Sequence, residues 1–206
     1  MKRLYLLRHG QTEFNVKKLV QGRCDSPLTD LGRHQAQAAA IWLKAHDVVP
    51  DKVISSPLGR AMDTASLVAT ELLGPSAAVE PCEGIIERGY GTFEEGPHDA
   101  LPTDVWDPGE DLIPFGGEGS QALQGRMVDT LTNIMDADGI ETLLAVSHGS
   151  ASRQFIKAAA PEGFELPAKL PNCAIMIFDF DDAREEDDAP QCKFTLQQIV
   201  DPQQSH

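Results

Sequence analysis

Basic residues are scarce in this chain of 206 residues: 17 Lys and Arg stand against 32 Asp and Glu, a formal net charge of −15. So acidic a chain disfavours nucleic acid and anionic membrane as partners, because both demand a cationic face. Long apolar runs are missing too, and none approaches the roughly 20 residues that a bilayer span needs. The charged start, Met1-Lys2-Arg3, is followed by only four apolar residues before Arg8, too few for the h-region of a signal peptide. The four cysteines, Cys24, Cys82, Cys173 and Cys192, have no CxxC or other metal-type spacing. They read as ordinary thiols of a reducing cytoplasm. What remains is a hydrophobic fraction of 41% with 24% charged residues, the balance of a soluble globular protein. Its length is most simply one domain spanning 1–206.

One dipeptide, His-Gly, occurs twice behind a short apolar run. Leu4-Tyr5-Leu6-Leu7 leads into Arg8-His9-Gly10, and Leu143-Leu144-Ala145-Val146 leads into Ser147-His148-Gly149. Apolar runs of this length, ended by a turn signal, read as strands buried on both faces of a parallel sheet. Ligands of open α/β sheets sit beyond the carboxyl ends of the strands. Both histidines therefore leave the sheet where chemistry is usually done, one imidazole free to attack and the other to hold charge.

The rest of the chain alternates in the same way. A loop after the first strand leads to Thr29 as the N-cap of a helix whose apolar stripe is Leu31, Ala38, Ala39, Trp42 and Ala45. Residues 52–55 form a strand. Ser56-Pro57 opens the next helix with Pro57 at its first position; Ala61, Ala65, Val68 and Leu72 make its stripe and Gly74-Pro75 ends it. Residues 79–86 read as a further strand. Residues 89–119, rich in Gly, Pro and Asp, form a long lid-like excursion. Leu123, Met127, Leu131, Ile134 and Met135 mark an amphipathic helix, and residues 152–160 a helix stopped by Pro161. Residues 174–180 and 194–200 read as strands, joined by an acidic run at 181–188 that fits a solvated hairpin loop. The alternation predicts an α/β three-layer sandwich with a mostly parallel central sheet flanked by helices.

The candidate chemistry gathers at one edge. Arg8 follows four apolar residues, and Arg60 lies in the first turn of the helix after residues 52–55, so it points near the same carboxyl edge. Two guanidinium groups and two imidazoles converging there match a tetrahedral dianion, which guanidinium binds bidentately. Each residue alone is weak evidence, and their common topological address is what counts.

At this point the chain resembles a known family, the histidine phosphatase superfamily, also called phosphoglycerate mutase-like. The resemblance rests on Arg8-His9-Gly10-Gln11-Thr12 with Asn15, on Gln21-Gly22, and on Asp25-Ser26-Pro27-Leu28-Thr29 with Gly32. It continues with Ser55-Ser56-Pro57-Leu58, Arg60-Ala61 and Thr64-Ala65, then Ile86-Glu87, Gly91 and Glu94, Gly116-Gly117-Glu118, and Val146-Ser147-His148-Gly149. These motifs span residues 3 to about 160 in family order. The resemblance implies a phosphoglycerate mutase-like fold and catalysis with no metal and no cofactor. His9 would be the nucleophile that becomes phosphohistidine, and Arg8, Arg60 and His148 would complete the phosphate pocket. Asn15, Gln21, Gly22 and Gly149 would line the site, and Glu87 would be the proton donor. The partner is then a small-molecule phosphate ester.

Mutases and phosphatases share this pattern. Glu87-Arg88-x-Tyr90-Gly91 resembles the mutase form of the acid motif. Against it, residues 97–125 contain no Lys or Arg but do contain Asp99, Asp104, Asp107, Glu110, Asp111 and Glu118. An acidic lid is expected to repel a phosphoglycerate and to favour a neutral, apolar or cationic leaving group, with Trp106, Leu112 and Phe115 available for apolar contact. The expectation is a phosphatase. A cofactor-dependent phosphoglycerate mutase is the alternative, and a phosphate-binding regulatory module without turnover is a third reading.

Overall fold

In the computed structural model, which describes residues 1–182 and 192–204, strand and helix alternate. The order is β1 (Lys2–Arg8), α1 (Glu13–Lys17), α2 (Asp30–Ala45), β2 (Lys52–Ser55), α3 (Gly59–Leu73) and β3 (Glu80–Pro81). Then come α4 (Ser120–Met135), β4 (Thr142–Ser147), α5 (Gly149–Ala159), β5 (Ile175–Phe180) and β6 (Phe194–Val200). The sheet runs β3-β2-β4-β1-β5-β6. Its first four strands are parallel, while β5 is antiparallel to both β1 and β6. This is the mostly parallel sandwich that the alternation predicts. No helix among the described residues is long and apolar enough to cross a membrane.

The continuous apolar runs of β1 and β4 are needed because both sheet faces are covered. Successive side chains of a strand point to opposite faces. Leu4 and Leu6 pack with Leu123, Met127 and Leu131 of α4 and Phe155 of α5, where the Phe155 ring meets Phe178 and Phe194 at 4.8 and 5.0 Å. Tyr5 and Leu7 pack on the other face against Ala36, Ala39, Ala40 and Leu43 of α2 and Ala61, Ala65 and Val68 of α3. Each fully buried large side chain contributes about 1.5–3 kcal/mol.

Several local expectations shift. Thr29 caps α2 as predicted, accepting from the Gly32 amide. The buried stripe of α2 is turned from the predicted one, with Leu31 exposed and Ala36, Ala40 and Leu43 inside. Gly32 sets that phase, since its backbone lies so close to Gln11 that a Cβ there would meet the Gln11 carbonyl. Helix α3 starts at Gly59 rather than at Pro57, and α5 starts at Gly149 rather than at 152. In each the first-turn amides are taken by a carboxylate from a distant segment, a cap that local sequence does not show. Asp25 accepts from Gly59 and Arg60, and Glu87 from Ser150 and Ala151. The strand expected at 79–86 reduces to Glu80–Pro81 and a 3₁₀ turn at Glu83–Ile85. The short α1 has no predicted counterpart; Thr12 and Asn15 close a capping box around it. Of the acidic run at 181–188, residues 183–188 lie outside the described residues.

The excursion at 89–119 carries 3₁₀ turns at Gly91–Phe93, His98–Ala100 and Ile113–Phe115. Within it Tyr90, Leu101 and Leu112 pack with Val20 in a small cluster of their own. The fully buried Arg88 fastens it to the sandwich, donating to the Gly109 and Glu118 carbonyls and to the hydroxyls of Ser120 and Ser150.

Candidate active site

Strand register brings the two His-Gly pairs together. Arg8 lies opposite Ser147 in the parallel β1–β4 ladder, so His9 and His148 leave the sheet side by side, with ring centroids 5.2 Å apart. The His9 amide donates to the Ser147 carbonyl at 3.0 Å. The turn after His9 needs glycine: a Cβ on Gly10 would stand 2.4 Å from the Gly32 carbonyl oxygen.

The two imidazoles are fixed differently. His9 Nδ1 lies 2.7 Å from the Gly10 carbonyl and must donate to it, which leaves the lone pair on Nε2. Burial first, then the charges of Arg60 and Arg8, hold His9 well below the ordinary histidine range, so the ring is neutral near pH 7. His148 is fully buried, and the same causes push it down. Sequence reasoning expected this ring to hold charge; in these cationic surroundings it is neutral. Its Nε2 lies 2.6 Å from the Ser56 hydroxyl, while its Nδ1 is buried without a partner.

The arginines are committed more fully than their sequence positions imply. Arg60, 1% exposed, donates through Nη1 to the Cys24 carbonyl at 2.8 Å and to Asp25 at 3.2 Å, and through Nη2 to the Gly22 carbonyl at 2.8 Å. Its Nε is buried and unpaired. Both Nη groups thus hold the 22–25 loop, where the sequence had led us to expect a fork free for the ligand. Arg8 donates through Nη1 to the Leu170 carbonyl and likewise keeps an unpaired, buried Nε. Burial pulls Arg8 down to about 10, still cationic at neutral pH. Glu87 is the opposing charge for both guanidinium groups. Its Oε1 accepts from the Arg88 and Ala151 amides at 2.8 and 2.9 Å, and its Oε2 from Ser150 at 3.2 Å.

These groups meet in a cleft of about 520 Å³. Of the nine residues singled out from sequence, Arg8, His9, Asn15, Gln21, Gly22, Arg60, Glu87 and Gly149 line it, and His148 stands beside His9 without being part of the lining. Asn15 and Gln21 are braced by Thr12, whose amide and hydroxyl donate to them at 3.1 and 3.0 Å. Gly149 leaves room for Trp106, whose ring would be 2.8 Å from a Cβ there. The Trp106 ring also covers the Arg8 guanidinium at 5.0 Å.

Sequence reasoning missed Ser56 as a histidine partner, having read it as a helix start and a motif residue without a role. It also missed the 169–172 segment, where Asn172 donates to the His9 carbonyl at 3.1 Å. That segment carries no local signal, because its place beside His9 is set by the β1–β5 pairing. The acidic lid is a correction. Asp107 is tied to Gln154 and Lys157, Glu118 to Arg126, and Glu110 to the Gln121 amide. None of the lid carboxylates lines the cleft, where Glu87 is the one acidic side chain among the described residues. Arg88, the feature that resembled a mutase, points into the excursion and not into the cleft.

The sequence profile of the histidine phosphatase superfamily (branch 1) matches residues 4–188. A broad-specificity phosphatase of Saccharomyces cerevisiae is 31% identical over 158 residues, covering 75% of this chain and 69% of that protein. A probable phosphoglycerate mutase of Photorhabdus laumondii is 32% identical over 189 residues, covering 87% of this chain and 86% of that protein. Among solved structures, a phosphoserine phosphatase from Entamoeba histolytica, in complex with phosphoserine, superposes with a TM-score of 0.73 at 26% identity, covering 98% of both chains.

Proposed function

Because this chain belongs to the histidine phosphatase superfamily (branch 1), we propose that it is a phosphomonoesterase that hydrolyses a small phosphate ester through a phosphohistidine on His9. The observation that carries this reading is the state of His9. It is a neutral ring with Nδ1–H tied to Gly10 and Nε2 left as the lone-pair nitrogen, in a cleft where Arg8 and Arg60 each keep an unpaired Nε.

The chemistry follows from that arrangement. His9 Nε2 attacks phosphorus in line as the bond to the ester oxygen breaks, and the leaving alkoxide takes a proton from Glu87. Glu87 Oε1 is saturated by two amides, whereas Oε2 accepts only one, so Oε2 is the oxygen with room to take up and pass on the proton. In the second step Glu87 removes a proton from water, which attacks the phosphohistidine, and phosphate leaves from a restored His9. Arg8 and Arg60 neutralise the equatorial oxygens, a charge role that asks for no metal. In this reading Ser56 donates to His148 Nε2, so the His148 proton sits on Nδ1, the nitrogen without a protein partner.

The test is chemical trapping. Acid-labile labelled phosphate is expected on His9 after rapid quench, and His9→Ala is expected to abolish phosphate release, chelator having no effect on the parent. Turnover of the alanine variant near that of the parent would overturn the mechanism.

A further inference from the structure

The cleft is lined by a second pair of cations. The chain has eight lysines. Six are engaged: Lys2 with the Met135 carbonyl, and Lys17, Lys44, Lys52, Lys157 and Lys193 each with a carboxylate. The other two, Lys18 and Lys169, form no ion pair or side-chain hydrogen bond with a described residue, and both line the cleft. In a chain with 32 acidic residues, such a pair in one cavity is a specific arrangement rather than a surface average.

Both lysines are placed by bonded backbone. Lys169 directly precedes Leu170, whose carbonyl receives the Arg8 guanidinium. Lys18 ends α1 in a left-handed conformation, φ 55°, that glycine or asparagine would adopt more readily. Its carbonyl receives the His98 amide at 3.0 Å, and His98 Nε2 donates to the Leu19 carbonyl at 3.1 Å. His98 also lines the cleft. After burial, the charges of Lys169 and Lys18 push His98 down against the opposing Asp99, so both ammonium groups act on the same imidazole. Among the described residues, Glu87 is the one carboxylate in the lining.

We propose that Lys18 and Lys169 form a second anion subsite, which binds a carboxylate or phosphate carried by the leaving alcohol. The inference rests on the proposed phosphatase reading for its first subsite, and it replaces the neutral or cationic leaving group that lid composition implied. The arginines take the scissile phosphoryl group and the lysines take the anion on the leaving group, so the chain selects doubly anionic esters.

The experiment compares matched esters with and without the second anion. 3-Phosphoglycerate is set against glycerol 3-phosphate for a carboxylate, and fructose 1,6-bisphosphate against fructose 6-phosphate for a phosphate. Binding is measured by calorimetry on the His9→Ala protein, and kcat/KM on the parent. In at least one pair the doubly anionic member is expected to bind on the order of tenfold more tightly, the scale of two partly exposed ion pairs. The ratio should shrink in 0.5 M salt and fall to near one in Lys18→Asn/Lys169→Gln, where asparagine keeps the left-handed turn. The favoured pair identifies the anion. Ratios near one in both pairs, or a ratio untouched by the double variant, would overturn the subsite. A binding ratio without turnover of any ester would support the subsite and overturn the phosphatase reading.

Discussion

Replacing Glu87 with glutamine separates proton transfer from architecture, and the structure sets the size of each part. Glu87 caps α5 as well as facing Arg8 and Arg60. In Glu87→Gln the amide oxygen can occupy the Oε1 position and keep the Arg88 and Ala151 bonds of 2.8 and 2.9 Å. The amide nitrogen then faces the Ser150 N–H, so the 3.2 Å bond is lost and two donors confront each other. That costs about 1–2 kcal/mol of stability, by the scale of one lost hydrogen bond at a buried group. Any rate loss from this distortion is at most about 30-fold and blind to the ester, since it acts on the fold of the site. Loss of the proton donor is different. It removes about 10²-fold or more from departure of an alkoxide, and little from departure of p-nitrophenolate, which needs no proton. The phosphorylation step should therefore slow at least about tenfold more for an alkyl phosphate than for p-nitrophenyl phosphate. Single-turnover rapid quench is the assay, because Glu87 also serves the second step of the proposed mechanism and steady-state rates would blur the contrast. Equal losses for both esters would refute the acid role and leave Glu87 as a cap and counter-charge alone.

Arg60→Lys is expected to lower kcat/KM by about 10- to 100-fold, since one ammonium cannot hold the Gly22 and Cys24 carbonyls and also donate from the Nε position. Vanadate affinity should fall with it, and a loss under about twofold would remove Arg60 from the transition state. Mutase activity, assayed with 2,3-bisphosphoglycerate as primer, should be negligible beside hydrolysis of the best ester, because Arg88 is consumed by the 109–120 segment. Efficient interconversion of 2- and 3-phosphoglycerate would contradict this. Stability should fall as pH drops. His9 and His148 are held below the ordinary histidine value, so the unfolded chain takes up protons from about pH 6.5 downward that the folded chain refuses. The contribution is complete above about pH 6.5, so Tm measured at pH 7.5 and 5.5 should decrease, and decrease less in His148→Asn. A Tm equal at both pH values would show that these rings do not resist protonation.

Much of the architecture was legible because it depends on local periodicity. The apolar runs at 4–7 and 143–146 must be strands buried on both sides, Thr29 must cap the helix it precedes, and residues 52–55 and 194–200 have the observed strand bounds. The motif residues were legible as well, since both histidines and Arg8 end strands or adjoin them and Arg60 opens a helix. Tertiary structure alone decided how these groups work. Asp25 and Glu87 cap α3 and α5 across more than 30 residues, so both helices start away from their local signals. The Gly10 carbonyl fixes the His9 tautomer and Ser56 partners His148 through contacts that no spacing predicts. The lid's acidic composition gave the wrong sign for the cleft lining, since Asp107, Glu118 and Glu110 are turned to Lys157, Arg126 and a backbone amide while Lys18 and Lys169 enter from elsewhere. The physical reason is common to all three. Hydrophobic period is a property of a short segment, whereas a hydrogen bond or a local field is set by whichever groups the sheet order brings within a few ångströms.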